Sequence, residues 1–167
     1  LGLAYLFIEM ATIQQFVLIL GQPTLAIATV LATLLLASGI GSALSDRLPW
    51  GRALAALVVL AALWPWLVQS VFGGTLGLPL GARWALSVLA LTPLGFLMGI
   101  PFARGLEAIR PAPDLAPWAW AINGGASVIS AVLAALLALS LGFTSVLWAG
   151  AALYGAAWLA RPTLTRG

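Results

Sequence analysis

The sequence predicts an all-α fold, a polytopic membrane bundle of about six transmembrane helices. Hydrophobic residues make up 63% of the 167 positions and charged residues only 7%, a composition far outside the range of soluble domains. Apolar runs of about 20 residues, each long enough to cross the hydrocarbon core, follow one another along the chain. No segment shows the alternation over about ten residues that a membrane β-strand requires.

Turn residues and charges mark where each predicted helix ends. The first helix ends at the turn 21–23, the second at the charged loop 45–52, and the third at the glycine- and proline-bearing loop 73–81. The fourth contains Pro93, which a membrane helix tolerates as a kink, and is followed by the polar loop 104–117. The predicted helices cover approximately residues 1–20, 24–44, 53–72, 82–103, 118–141 and 144–160.

The last two helices are joined so closely, by Gly142 and Phe143, that they are expected to form an antiparallel hairpin. Hydrophobic sequence begins at Leu1, without a basic segment or a cleavage site that would indicate a signal peptide. We therefore expect residues 1–167 to form a single transmembrane module that is a fragment of a longer chain.

The arginines predict the orientation, because short cytoplasmic loops carry the excess of positive charge. With six helices, Arg83 alone lies on the opposite side of the membrane from the other arginines. The arginines assigned to the cytoplasmic side are Arg47, Arg52, Arg104, Arg110, Arg161 and Arg166. The prediction is a bacterial inner-membrane protein whose second and fourth loops and C-terminus face the cytoplasm.

The scarcity of reactive side chains excludes most enzyme chemistry. The chain has no Cys, His or Lys, so thiol nucleophiles, His/Cys metal sites and phosphate-binding loops with a lysine are impossible. Its acids are Glu9, Asp46, Glu107 and Asp114. No catalytic domain, metal, cofactor or nucleic-acid partner is predicted for this chain, and its one certain partner is the lipid bilayer.

Polar residues within apolar helices give the clearest functional signal, because burying them in a membrane is costly. Glu9 lies on the first helix, followed by Gln14 and Gln15, and Asn123 with Ser127 lies on the fifth. Glu9 has two interpretations, a carboxylate that binds a cation or proton, or one that holds neighbouring helices together. The same choice applies to Asn123, which in membrane helices commonly serves as a hydrogen-bonding contact between helices.

Small residues at four-residue spacing predict close helix packing. Gly95 and Gly99 on the fourth helix follow the Pro93 kink and are the best candidates for such a contact.

The second loop, with its flanking residues, resembles the signature between the second and third helices of the major facilitator superfamily. The residues concerned are Gly41, Asp46, Arg47, Gly51 and Arg52. The resemblance implies a glycine that permits close helix approach and charged residues that latch the cytoplasmic helix ends. A solvated, positively charged loop without a latch is the alternative.

A more extensive resemblance is to the membrane part of bacterial spermidine synthase-like membrane proteins. Its residues are in the stretches 3–16, 20–24, 38–42 and 117–128. In that family a multi-helix region, similar to half of a major facilitator fold, is fused to a soluble domain of the aminopropyltransferase or methyltransferase type. The resemblance implies a membrane module separated from that domain, with a partner in the rest of its chain or in a second copy.

The sequence is compatible with three functions. The bundle can be a transporter-like module that handles a small solute, including a cationic one, with Glu9, Gln14 and Asn123 along the path. It can instead be a membrane anchor or scaffold for a fused aminopropyltransferase- or methyltransferase-like domain. An intramembrane enzyme is the least favoured, because a single buried carboxylate without His, Cys or Lys is a poor catalytic set.

Overall fold

The computed structural model describes residues 1–75 and 77–164, with side chains through residue 160. Within those ranges the protein is all-α, and six long helices confirm the predicted polytopic bundle. The helices are α1 (Gly2–Leu20), α2 (Pro23–Ala43), α3 (Trp50–Phe72), α4 (Leu80–Ala108), α5 (Leu115–Leu141) and α6 (Phe143–Leu164). A short 3₁₀ turn, Ser45–Arg47, lies between α2 and α3.

All six helices have the length and hydropathy of membrane spans. Their outward surface is also apolar, since many large hydrophobic side chains are exposed, among them Leu18 at 79% and Leu139 at 86%. Such continuous apolar exposure suits lipid rather than water. The protein is therefore a multi-pass membrane helix bundle.

Two glycines and a proline define the tightest connections. Gly21 ends α1 with a φ of 71°, a left-handed conformation that favours glycine, and Pro23 begins α2. Gly142, with a φ of 84°, separates α5 from α6. The chain reverses within a few residues at both points.

The structure corrects the predicted end of the fourth helix. Helix α4 has 29 residues and continues to Ala108, whereas the sequence suggested that it ends at residue 103. Arg104 and Glu107 are consequently helical, and their side chains pair at i, i+3 spacing on one face. Hydropathy assigned these charged residues to a loop, but the local ion pair allows the helix to continue. Helices α3 and α5 likewise each begin three residues before their predicted starts at 53 and 118.

The helices pack in a pattern that repeats between the two halves of the bundle. Extensive contacts join α2 with α4, α1 with α5, α3 with α6, and α1 with α6, and smaller ones join α3 with α4. If α1, α2 and α3 are exchanged with α4, α5 and α6, the α2–α4 pair becomes the α1–α5 pair. The α1–α6 pair becomes the α3–α4 pair, and the α3–α6 pair is unchanged. Because each half has an odd number of helices, the halves enter the membrane from opposite sides. These pairs fit an inverted repeat, whereas the contacts of α1 with α2 and of α5 with α6 have no comparable counterpart between α4 and α5 or between α2 and α3.

Glycines bring α2 and α4 into backbone contact. A Cβ on Gly41 would overlap the carbonyl group of Phe96, and one on Gly99 would overlap the carbonyl group of Ser38. A Cβ on Gly95 would lie 3.0 Å from the Cβ of Ala37. A side chain is therefore excluded at Gly41 and at Gly99, and we call this α2–α4 contact the glycine seam.

Candidate functional site

A cleft of about 460 Å³ lies near the end of the bundle that carries most of the arginines. It is bordered by the N-terminal parts of α1 and α5, the C-terminal part of α2, the C-terminal half of α4, and α6. Its volume is within the range of small-molecule sites. The polar residues of its lining are Tyr5, Ser38, Ser42, Asn123, Ser127 and Tyr154.

Asn123 and Ser127 place hydrogen-bonding groups on the α5 side of the cleft. The Oδ1 atom of Asn123 accepts a hydrogen bond from the backbone N–H of Gly2 at 2.7 Å. The Ser127 hydroxyl donates to the Asn123 carbonyl at 3.0 Å. In this position Asn123 connects α1 with α5 and borders the cleft at the same time.

Aromatic side chains form much of the remaining wall. Phe102 and Trp120 meet edge to face, with ring centroids 4.9 Å apart and an interplanar angle of 83°. Tyr154 of α6 is buried, with 1% of its surface exposed. The hydroxyl of Tyr5 is buried beside Ser38, yet no partner stands in hydrogen-bonding geometry. The cleft therefore combines aromatic faces with a buried phenol hydroxyl beside Ser38.

Glu9 lies one helical turn deeper than Tyr5 on α1, and the two side chains are close enough to interact electrostatically. Only 7% of the Glu9 surface is exposed. Among the described residues, the ion pairs involve Asp46 and Glu107, and no hydrogen bond reaches the Glu9 carboxylate. Glu9 is thus a buried acid without a protein partner in that part of the chain.

Glu9 is not among the residues that line the cleft, and the two glutamines that follow it border other pockets. Gln14 borders a separate pocket between α1, α5 and α6, and Gln15 borders a third, between α1, α3 and α6. Successive residues on a helix are about 100° apart around its axis, so Gln14 and Gln15 face different neighbours. The structure therefore brings Asn123, Ser127 and Tyr5 together and places both glutamines elsewhere.

One charged residue of the second loop, Asp46, forms an ion pair with α4. Asp46 lies 3.6 Å from the guanidinium of Arg104, which also pairs with Glu107. Arg47 and Arg52 are exposed and make no ion pair within the described residues. Gly51 accepts a hydrogen bond from the indole N–H of Trp158 at 3.1 Å. The second loop is joined to α4 through Arg104, a residue that was predicted to lie in the polar loop 104–117.

Within the described ranges no group of three or more acidic side chains lies together as a metal site would require. No protein-family model matches the chain, and no curated protein or solved structure matches it at a significant level. The fold and the cleft define its class, a six-helix multi-pass membrane bundle with a polar and aromatic cleft at one end.

Proposed function

We propose that this bundle is a transporter-like membrane module that binds a small organic cation in the cleft, with Glu9 as the counter-charge. The observation that carries the proposal is Glu9, a residue 7% exposed whose carboxylate has no ion-pair or hydrogen-bond partner among the described residues. An uncompensated ionised group inside a membrane costs about 2.5 kcal/mol or more, even on the most lenient scale. A bound cation would offset that cost.

The cleft wall suits such a ligand. A cation held against Tyr5 would be within about one helical turn of Glu9, since residues four apart on a helix are neighbours. Trp120 and Phe102 offer aromatic faces, which attract cations, particularly where water is excluded. Asn123 and Ser127 of α5 add polar oxygens beside Gly2 of α1. Together these groups favour an ammonium ion with some apolar surface over a small inorganic cation.

The architecture supports movement of the ligand as well as binding. The α2–α4, α1–α5, α3–α6, α1–α6 and α3–α4 pairs fit an inverted repeat, an arrangement that many transporters share. Helix α4, which borders the cleft, contains Pro93 and Pro101, and each proline removes a backbone hydrogen bond from the helix. These features support a helix that can bend between two states.

We also propose that the chain is a membrane module of the spermidine synthase-like type. Three of the stretches that resemble that family, 3–16, 38–42 and 117–128, each contribute residues to the cleft: Tyr5, Ser38 and Asn123 are examples. In this proposal the module is completed by the remainder of its own chain or by a second copy, and the arginine-rich end faces the cytoplasm of a bacterial inner membrane.

A second function, a membrane anchor for a soluble aminopropyltransferase- or methyltransferase-like domain, is favoured by the arginine-rich surface. Arg47, Arg52 and Arg110 are exposed there and form no ion pair with any described residue. A soluble domain with an acidic face could bind to this surface. In that case Glu9 and Asn123 would serve only to hold helices together.

Equilibrium binding to the purified protein in lipid nanodiscs separates the two functions. The probes are radiolabelled methylammonium, tetramethylammonium and putrescine, each measured against empty nanodiscs. We expect at least one probe to bind and Glu9→Gln to weaken it more than about tenfold, which corresponds to about 1.4 kcal/mol. Asp114→Asn, which removes an exposed acid outside the membrane spans, should leave binding unchanged. If no probe binds, or if Glu9→Gln binds as tightly as the parent protein, the transport function is wrong and the anchor remains.

A further inference from the structure

A second site lies at the opposite end of the bundle, on the side that the arginines assign to the outside. A pocket of about 380 Å³ opens there between α1, α3 and α6. Gln69 is three residues from the end of α3 and Thr144 is one residue into α6, so the pocket is near the membrane surface. It shares no lining residue with the cleft that contains Asn123.

Three neutral polar side chains from three helices meet in this pocket: Gln15 of α1, Gln69 of α3 and Thr144 of α6. The Oε1 atom of Gln15 is buried and has no hydrogen-bond partner in the described part of the chain. No hydrogen bond to this oxygen from a described residue holds the amide, so a turn about its last side-chain bond can present its donor or its acceptor to a ligand. A buried polar atom without a hydrogen-bond partner is costly unless something else bonds to it.

Two indole rings form the apolar wall. Trp66 of α3 and Trp148 of α6 have ring centroids 5.8 Å apart and are tilted by 39°. About half of each is exposed, 54% for Trp66 and 47% for Trp148. Aromatic residues are common at the membrane surface as anchors, but these two lie directly beside the converging amides and hydroxyl.

We propose that this pocket binds an uncharged, hydroxyl-rich ring, such as a pyranose, stacked on Trp66 and Trp148 and hydrogen-bonded by Gln15, Gln69 and Thr144. A pyranose has an apolar C–H face for the indoles, and each of its hydroxyls both donates and accepts, which matches amides and a hydroxyl. No charged side chain is among the lining residues, which disfavours an anionic ligand. A quaternary ammonium ion would also suit two indoles, but it has no N–H and no lone pair to satisfy Gln15.

The same chemistry has two sources, a free sugar or the headgroup of a glycolipid in the outer leaflet, and the experiment distinguishes them. The protein is placed in nanodiscs of phosphatidylethanolamine and phosphatidylserine, which contain no sugar. Maltose binding is measured by saturation-transfer NMR, and retention of monoglucosyldiacylglycerol is measured by native mass spectrometry. Binding of maltose would indicate a free sugar, and retention of the glycolipid alone would indicate a lipid headgroup.

Two variants one residue apart provide the matched comparison. Gln15→Leu keeps the approximate shape of the side chain and removes its hydrogen bonds, so it should weaken binding about tenfold, the value of one or two neutral hydrogen bonds. Gln14→Leu alters the other pocket and should leave binding unchanged. Trp148→Ala should also weaken binding, and circular dichroism should show that all three variants keep their helix content.

Three results would overturn the proposal. The first is that neither maltose nor the glycolipid binds, in which case Trp66 and Trp148 are interface anchors. The second is sugar binding that Gln15→Leu and Trp148→Ala leave unchanged. The third is that choline chloride binds in place of both sugar probes. Because Glu9 and the cleft are not involved, failure here would leave the cation-binding proposal standing.

Discussion

The amide oxygen of Asn123 on α5 lies 2.7 Å from the backbone nitrogen of Gly2 on α1, so one hydrogen bond joins two helices at the edge of the cleft. The carbonyl of the same residue accepts from Ser127. Asn123 therefore has a structural contact already, and the second lone pair of its Oδ1 is the part that remains for a cation.

Replacing this amide should lower stability without unfolding the bundle. We expect Asn123→Ala to reduce the free energy of unfolding by about 1 kcal/mol, the usual size of a hydrogen bond between membrane helices. The measurement is a reversible unfolding titration in mixed detergent micelles. Ser140→Ala is the control, because its hydroxyl bonds only to the Leu136 carbonyl of its own helix and is exposed. Equal losses for the two variants would show that the Gly2 contact contributes nothing.

The glycine seam predicts a strong contrast between two glycines of α2. Gly41→Ala should destabilise the protein by about 1–3 kcal/mol, because its methyl group would overlap the Phe96 carbonyl and force α2 and α4 apart. Gly39→Ala, two residues earlier, meets no atom within 4 Å and should be neutral or stabilising by up to about 1 kcal/mol. The same unfolding titration measures both. A neutral Gly41→Ala would contradict the close approach of these helices.

The topology can be tested in a chain that has no natural cysteine. We expect a membrane-impermeant maleimide to label Gly77→Cys, between α3 and α4, in intact cells. Ala112→Cys, between α4 and α5, should be labelled only after the cells are permeabilised. Both positions lie in loops outside the spans. Labelling of both in intact cells, or the reverse pattern, would contradict the orientation that the arginines predict.

The fold could be predicted from the sequence because each span is a long apolar run that ends at a strong signal, such as Gly21 with Pro23. The C-terminal end of α4 could not be predicted. The charges of Arg104 and Glu107 indicated a loop, whereas the ion pair between them permits a helix. A hydropathy scale gives the free-energy cost of placing a charged residue in lipid. It does not show whether that residue lies at the membrane surface, where the cost is small.

The cleft was only partly predictable. Asn123 and Ser127 were recognised as polar residues in an apolar helix, and both border it. Gln14 and Gln15 gave the same signal but lie at other pockets, because tertiary packing decides which neighbour each face of α1 meets. Tyr154 was not predicted, because the signal for it in the sequence is a lone phenol in an apolar helix.

The central claim, that a cation occupies the cleft and depends on Glu9, is tested most directly by protection of a cysteine placed in the cleft wall. Ser38→Cys would be reacted with a cationic methanethiosulfonate reagent in nanodiscs, with Ala112→Cys as a control outside the cleft. We expect a bound organic cation to slow the reaction at position 38 and not at 112, and Glu9→Gln to abolish that protection. Protection that survives Glu9→Gln, or no protection by any cation in the parent background, would contradict the claim.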